Sequence, residues 1–139
     1  MDNTEKFEHW KDIAKYDLDT AEAMFRAGRY LYVVFMCQQA IEKLTKGLHV
    51  LNRGKEAPRT HNIYSIFKKV FDPSQKNEEF VEKEKEYAPF FAELLAYYIS
   101  ERYPSYREKL SHTIKPDKAE EVLKRTKEVF AWLLSLQKL

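Results

Sequence analysis

The sequence predicts an all-α protein, an antiparallel, up-and-down bundle of about five helices in a single domain over residues 1–139. Two observations carry that prediction. Tyr30, Val34, Cys37, Ile41, Leu44, Leu48 and Leu51 recur at alternating spacings of four and three. At 100° per residue they fall in one apolar stripe, the signature of a long amphipathic helix. In addition, only 3 Gly and 5 Pro interrupt 139 residues. That suits helices joined by short loops, and no segment alternates with the period of two that a half-buried strand requires.

Residues 4–27 form the first helix, with a stripe of Phe7, Ala14, Leu18, Ala21 and Phe25, Trp10 at its margin and Gly28 as its stop. The short Gly28–Arg29 junction makes the next helix its antiparallel neighbour. That helix, Arg29 to Gly54, is the central one. Glu42 and Lys46 lie off its stripe as an i,i+4 pair, while Tyr32, Phe35 and Met36 give it a second apolar side. Apolar groups on two sides suit a helix inside a bundle or at a subunit interface. Asp12, Asp17, Asp19 and Glu22 are spread around the first helix, so they read as surface charge, with one of them able to reach a lysine of the central helix.

After a polar loop, Thr60 is the expected N-cap of a short helix with Ile63, Ile66, Phe67 and Val70 facing inward. Asp72-Pro73-Ser74 forms a turn. Asn77 caps the following helix, with Glu78 and Glu79 complementing its dipole. Pro89 lacks the N–H that would bond to Lys85, so a kink or break is expected between residues 86 and 90. Pro104 ends this helix and biases Tyr103 to an extended conformation. Residues 103–115 read as a connector. Pro116 opens the last helix, whose inner face is Ala119, Val122, Leu123, Thr126, Phe130 and Leu133, flanked by Trp132.

Composition is ordinary for a soluble protein, 44% hydrophobic and 33% charged. No apolar run approaches the roughly 20 residues of a membrane span, and the first ten residues lack a signal-peptide core. The single Cys37 can form no internal disulfide, so a cytoplasmic location is expected. Net charge is +2 but unevenly distributed. Residues 43–69 carry seven basic groups against one acidic, and residues 72–101 carry three against eight. Basic segments of this kind either converge into a phosphate-binding face or pair with acidic neighbours as solvated helix surface. The four histidines are scattered without ligand spacing, which argues against a metal site. No phosphate-binding glycine loop of P-loop or dinucleotide type is present.

Several blocks then occur in a telling order. Asp17-Leu18-Asp19-Thr20-Ala21 and Gly28-x-Tyr30 precede CQQAIEKLTKGL on the central helix. Thr60-His61-Asn62-Ile63 and Tyr98-Ile99-Ser100-Glu101-Arg102-Tyr103-Pro104 follow. Together they resemble the HEPN domain, the higher eukaryotes and prokaryotes nucleotide-binding family, over nearly the whole chain. The resemblance implies a helical, often dimeric domain. Some members are metal-independent endoribonucleases with an Arg-x(4–6)-His motif near the entrance to the last helix. Others bind nucleotides or serve as non-catalytic partners of minimal nucleotidyltransferases encoded alongside them.

Arg107-Glu-Lys-Leu-Ser-His112 matches that motif, so the resemblance makes Arg107 and His112 the candidate catalytic pair. His112 would take the 2′-hydroxyl proton while Arg107 stabilises charge on the phosphate. Glu108 departs from the ribonuclease pattern, because a carboxylate beside Arg107 opposes an RNA phosphate. The favoured reading is therefore a nucleotide- or RNA-phosphate-binding module. It would be homodimeric and partnered with a nucleotidyltransferase in a toxin–antitoxin-like system. A ribonuclease is the alternative. No metal, other cofactor or membrane is implied.

Arg102, in the family-like block, is a candidate phosphate contact, with the Tyr98 hydroxyl one turn earlier; capping its own helix is the structural alternative. Gln39 and Lys43, one turn apart on the central helix, are candidate ligand contacts, against an internal hydrogen bond and a surface charge. His61 reads as a helix-start residue. Tyr97, Tyr98, Tyr103 and Tyr106 either stack bases or pack in the core or a dimer interface.

Overall fold

The computed structural model describes residues 1–137, with all side chains in that span except those of residues 101 and 106–108. Among the described residues there are six α-helices and no strand. They are α1 (Asn3–Arg26), α2 (Tyr30–Arg53), α3 (Ile63–Val70), α4 (Glu78–Arg102), α5 (Pro104–Thr113) and α6 (Pro116–Ser135), with a 3-10 turn at Pro73–Gln75.

Helix α2 is the axis of the bundle and packs against all five others. Its predicted stripe is buried through Val34, Cys37, Ile41, Leu44 and Leu48, but burial extends further round, to Val33, Gln38, Glu42 and His49. Helix α1 lies antiparallel along it: Phe7 and Trp10 meet Gly47, Asp17 meets Lys43, and Phe25 meets Tyr30. Gly28 and Gly54, the expected stops, have φ of 75° and 72°, values that favour glycine. Gly47 has a different role. A Cβ there would sit 2.8 Å from the Trp10 Cβ and 3.3 Å from Phe7 Cδ1, so the missing side chain sets how closely α1 approaches α2.

An aromatic cluster joins α3, α4 and α6. The Phe67 ring lies 5.6 Å from Phe80, 5.5 Å from Phe91 and 5.7 Å from Trp132. Offset and tilted rings at these separations add about 0.5–1.5 kcal/mol per pair beyond area burial. Helix α6 shows the inner face expected of it, with Val129 added.

Three boundaries differ from expectation. Asn62, not Thr60, caps α3: its Oδ1 accepts from the Ser65 amide at 3.1 Å, while the Thr60 hydroxyl accepts from the Asn62 amide at 3.2 Å. Of the kink or break expected between residues 86 and 90, the break does not occur: α4 continues through Pro89. Pro89 and Lys85 are both exposed, so the carbonyl that loses its N–H partner faces water. Residues 103–115 are mostly helix rather than connector, which makes six helices instead of five. Tyr103 is extended as expected (φ −107°, ψ 117°), but Pro104 begins α5 as its N1 residue. Among the described residues no helix is long and apolar enough to cross a membrane.

Candidate functional site

The i,i+4 spacing of Gln38, Glu42 and Lys46 places them in one row on α2, turned toward the loop that enters α3. Glu42 is the hub. Its carboxylate accepts from Gln38 Nε2 at 2.8 Å, from Lys46 Nζ at 2.9 Å and from His61 Nδ1 at 3.0 Å. It is only 4% exposed. A buried carboxylate persists only when its charge is met by donors, and here a cation, an amide and an imidazole meet it. The expectation that Glu42 and Lys46 form a pair off the apolar stripe is correct, yet Glu42 is buried there because the entry loop of α3 folds over it.

That loop is clamped twice. The His61 ring is held by Glu42, and the His61 carbonyl accepts from Gln38 Nε2 at 3.4 Å. With Nδ1 donating to the carboxylate, Nε2 is the ring nitrogen left for a ligand, and the His61 side chain is 47% exposed. The imidazole stacks on Tyr98 of α4 at a centroid distance of 4.2 Å and an interplanar angle of 25°. Phe35 of α2 also stacks on Tyr98, at 6.2 Å and 15°. One turn on, Arg102 Nη1 donates to the Tyr98 hydroxyl, and the guanidinium carbon lies 5.5 Å from the Tyr98 ring centroid. Arg102 is exposed.

The three blocks around Gln38–Lys46, Thr60–Ile63 and Tyr98–Arg102, distant in sequence, thus meet in one polar cluster. Its interior is a fixed carboxylate, and its outer side offers a guanidinium and an imidazole. Such a surface suits an anion, because the buried negative charge is already matched, the Arg102 guanidinium donates, and His61 Nε2 donates as well whenever the ring carries both protons.

Of the candidate residues, Tyr98 and Arg102 lie in this cluster. Gln39 joins it indirectly, donating to Gln38 Oε1 at 2.6 Å. Lys43 points elsewhere, to Asp17 of α1 at 2.6 Å, the first-helix carboxylate that reaches the central helix. His112 is exposed in the last turn of α5. The Arg107 side chain lies outside the described residues. Tyr97 is buried and donates to Glu93, which also binds Lys118 at 3.1 Å, so its ring offers no platform for a base.

Sequence reasoning misses His61, Glu42 and Gln38 as site residues. A signal exists in the Thr60–Ile63 block, but nothing local distinguishes a histidine beside a cap from one held by a carboxylate 19 residues away. Cys37 supplies no nucleophile: burial pushes its thiol up to about 12, and a hydrogen bond with Thr126 offsets this only in part. Among the described residues no group of three His, Cys, Asp or Glu side chains could hold a metal ion.

Comparison with solved structures finds similarity to the crystal structure of TT1696 from Thermus thermophilus. The TM-score is 0.73 at 27% identity, covering 94% of this chain and 97% of that one. No curated protein matches. The family model of the HEPN domain matches residues 7–137, nearly the whole of this helical chain, and the protein belongs to the HEPN domain family.

Proposed function

We propose that the protein is a nucleotide- or RNA-phosphate-binding module that acts, as a homodimer, beside a minimal nucleotidyltransferase in a toxin–antitoxin-like pair. The observation that carries the binding part is the presentation of Arg102. Its guanidinium is exposed, is steadied by the Tyr98 hydroxyl and ring, and uses only part of its five-donor fork there. The His61 imidazole stacks on the same tyrosine and contributes Nε2. A phosphate seated between them accepts from the guanidinium, and from Nε2 of the imidazole in its doubly protonated form, on a surface that is already ordered. The nucleotidyltransferase partner and the homodimer rest on membership of the family, some of whose members work in that way.

Binding is favoured over ribonuclease chemistry by the setting of the Arg107–His112 motif. The two positions are five residues apart on α5, about 140° around a helix axis. Glu108 follows directly after Arg107 and opposes a phosphate there. The test is fluorescence anisotropy with a labelled, mixed-sequence, single-stranded 12-mer RNA, beside a cleavage assay in EDTA. The expected result is intact RNA and an affinity lowered about tenfold or more by Arg102→Ala. Cleavage to 2′,3′-cyclic phosphate ends, lost in His112→Ala, would overturn the proposal in favour of the ribonuclease.

A further inference from the structure

Of the seven basic groups in the segment of residues 43–69, Lys43 and Lys46 pair with Asp17 and Glu42, while Arg53, Lys55, Lys68 and Lys69 come together. They meet because the C-terminal half of α2, the loop at 54–62 and α3 form one corner of the bundle. At the far end of α3 from His61, this corner opens into a cleft of about 540 Å³ lined by His49, Arg53, Lys55, Lys68, Lys69 and Phe71. Glu56 and Asp72 also line it, leaving two more cations than carboxylates.

Both carboxylates are already engaged. Asp72 lies 3.5 Å from Arg53, and Glu56 lies 3.9 Å from Lys6. Lys68 sits over the Tyr64 ring at 4.9 Å, and Lys55 and Lys69 have no ion pair with any described carboxylate. Helix dipoles account for part of the pattern, since Arg53, Lys68 and Lys69 occupy the last turns of α2 and α3. They do not account for Lys55 and Arg59, which lie in the loop. That loop is anchored: Gly54 turns the chain at φ 72°, and the Lys55 carbonyl is bonded to the buried His49 Nδ1 at 2.9 Å. Lys55 is therefore held at the rim.

We propose that this cleft is a second phosphate-binding site and that the ligand is the backbone of a single-stranded nucleic acid. The strand would run along α3 from the Arg102–His61 site to the cleft. The proposal rests on the phosphate reading of that first site and names the ligand as a polymer rather than a mononucleotide. The eight residues of α3, which separate His61 from the cleft, rise about 12 Å, the span of about three or four stacked nucleotides at 3.4 Å each. The neighbouring segment, residues 72–101, carries three basic against eight acidic groups. It would repel a strand straying from α3 onto α4.

The experiment compares wild type, the double variant Lys55→Glu/Lys69→Glu and Arg102→Ala. The probes are a single-stranded 12-mer RNA, 5′-AMP and a ten-residue polyglutamate, titrated at several salt concentrations. All substituted side chains are exposed, and a neutral Lys55→Gln/Lys69→Gln variant gives a second reading with the same sign. The expected result is a tenfold or greater loss of 12-mer affinity in the double variant, with AMP affinity unchanged. Its log–log salt slope should fall by about 1.4, at about 0.7 per phosphate contact for a single strand. Unchanged 12-mer affinity and slope in both double variants would overturn the cleft while leaving the Arg102 site intact. Loss of neither AMP nor 12-mer binding in Arg102→Ala would instead overturn the first site. Polyglutamate binding as tightly as RNA would overturn the nucleic-acid assignment in favour of an acidic protein partner.

Discussion

Replacing Glu42 by alanine should cost far more than removing a surface carboxylate. The side chain receives hydrogen bonds from Gln38, Lys46 and His61, and charge-assisted bonds net about 1.5–3 kcal/mol each. The three losses do not simply add. The Lys46 and His61 side chains are 17% and 47% exposed, so both recover hydration by moving outward. Gln38 is fully buried and cannot: its amide keeps the long bond to the His61 carbonyl, and the one buried N–H left unmet costs about 1–3 kcal/mol. The sum is about 3 kcal/mol, the lower end of the range for deleting one partner of a buried ion pair. For a chain of this length that lowers Tm by about 12 °C. Glu42→Gln keeps an acceptor of the same size and should cost about 1 kcal/mol. Urea unfolding followed by circular dichroism reads both as shifts in midpoint at constant slope. A loss below about 0.5 kcal/mol for Glu42→Ala, the size expected of an ordinary surface site, would refute the description of Glu42 as the hub of the cluster.

Other perturbations have equally definite signs. Gly47→Ala gains about 1 kcal/mol of helix propensity, but its Cβ would lie 2.8 Å from the Trp10 Cβ, which cannot swing away without moving α1. Overpacking costs about 1–3 kcal/mol, so a net destabilisation of about 1 kcal/mol is expected in urea unfolding, and a stabilised variant would contradict the close approach. Pro89→Ala restores an N–H to an exposed stretch of α4 and should raise Tm, with a gain of about 1–2 kcal/mol after the loss of proline's restraint on the unfolded chain. Cys37 titrates at its ordinary 9.0 when unfolded and at about 12 when folded. Its contribution is therefore fully present below pH about 9 and is lost as pH rises toward about 12, by at most about 4 kcal/mol. Tyr64 is raised in the same sense by its bond to Glu84 and by burial, and Tyr97 by burial and by its bond to Glu93. Cys37→Ala should therefore flatten, without abolishing, the alkaline decline in stability; an unchanged decline would sink the assignment to the thiol.

Elements with strong periodicity are legible in the sequence alone. Helices α1, α2 and α6 bury one apolar stripe each, and that stripe is written in the spacing of Phe7 to Phe25, Tyr30 to Leu51 and Ala119 to Leu133. Helix α5 is not legible, because Leu110 is the apolar group that, among its described side chains, packs on the core, and a single position sets no period. Pro104 reads as a stop for α4, yet the same residue is also a start for α5. Continuity through Pro89 depends on which way its face turns, and that is decided by packing of α4 as a whole. In the site, Arg102 and Tyr98 stand out because they share one helix turn within a family-like block. Glu42 and His61 escape notice because each looks ordinary alone. A glutamate four residues from a lysine reads as surface charge until a distant loop buries it, and only long-range contact between α2 and the start of α3 makes the pair.

The measurement that bears most directly on the central claim is a two-dimensional NMR titration of the imidazole resonances with 5′-AMP. The chain has 4 histidines, so every one can be followed separately. A phosphate seated on the Arg102–His61 surface predicts saturable shifts for His61, absent in Arg102→Ala, while His112 stays fixed. Saturable shifts of His112 with His61 unmoved would contradict that account and place the nucleotide on α5 instead.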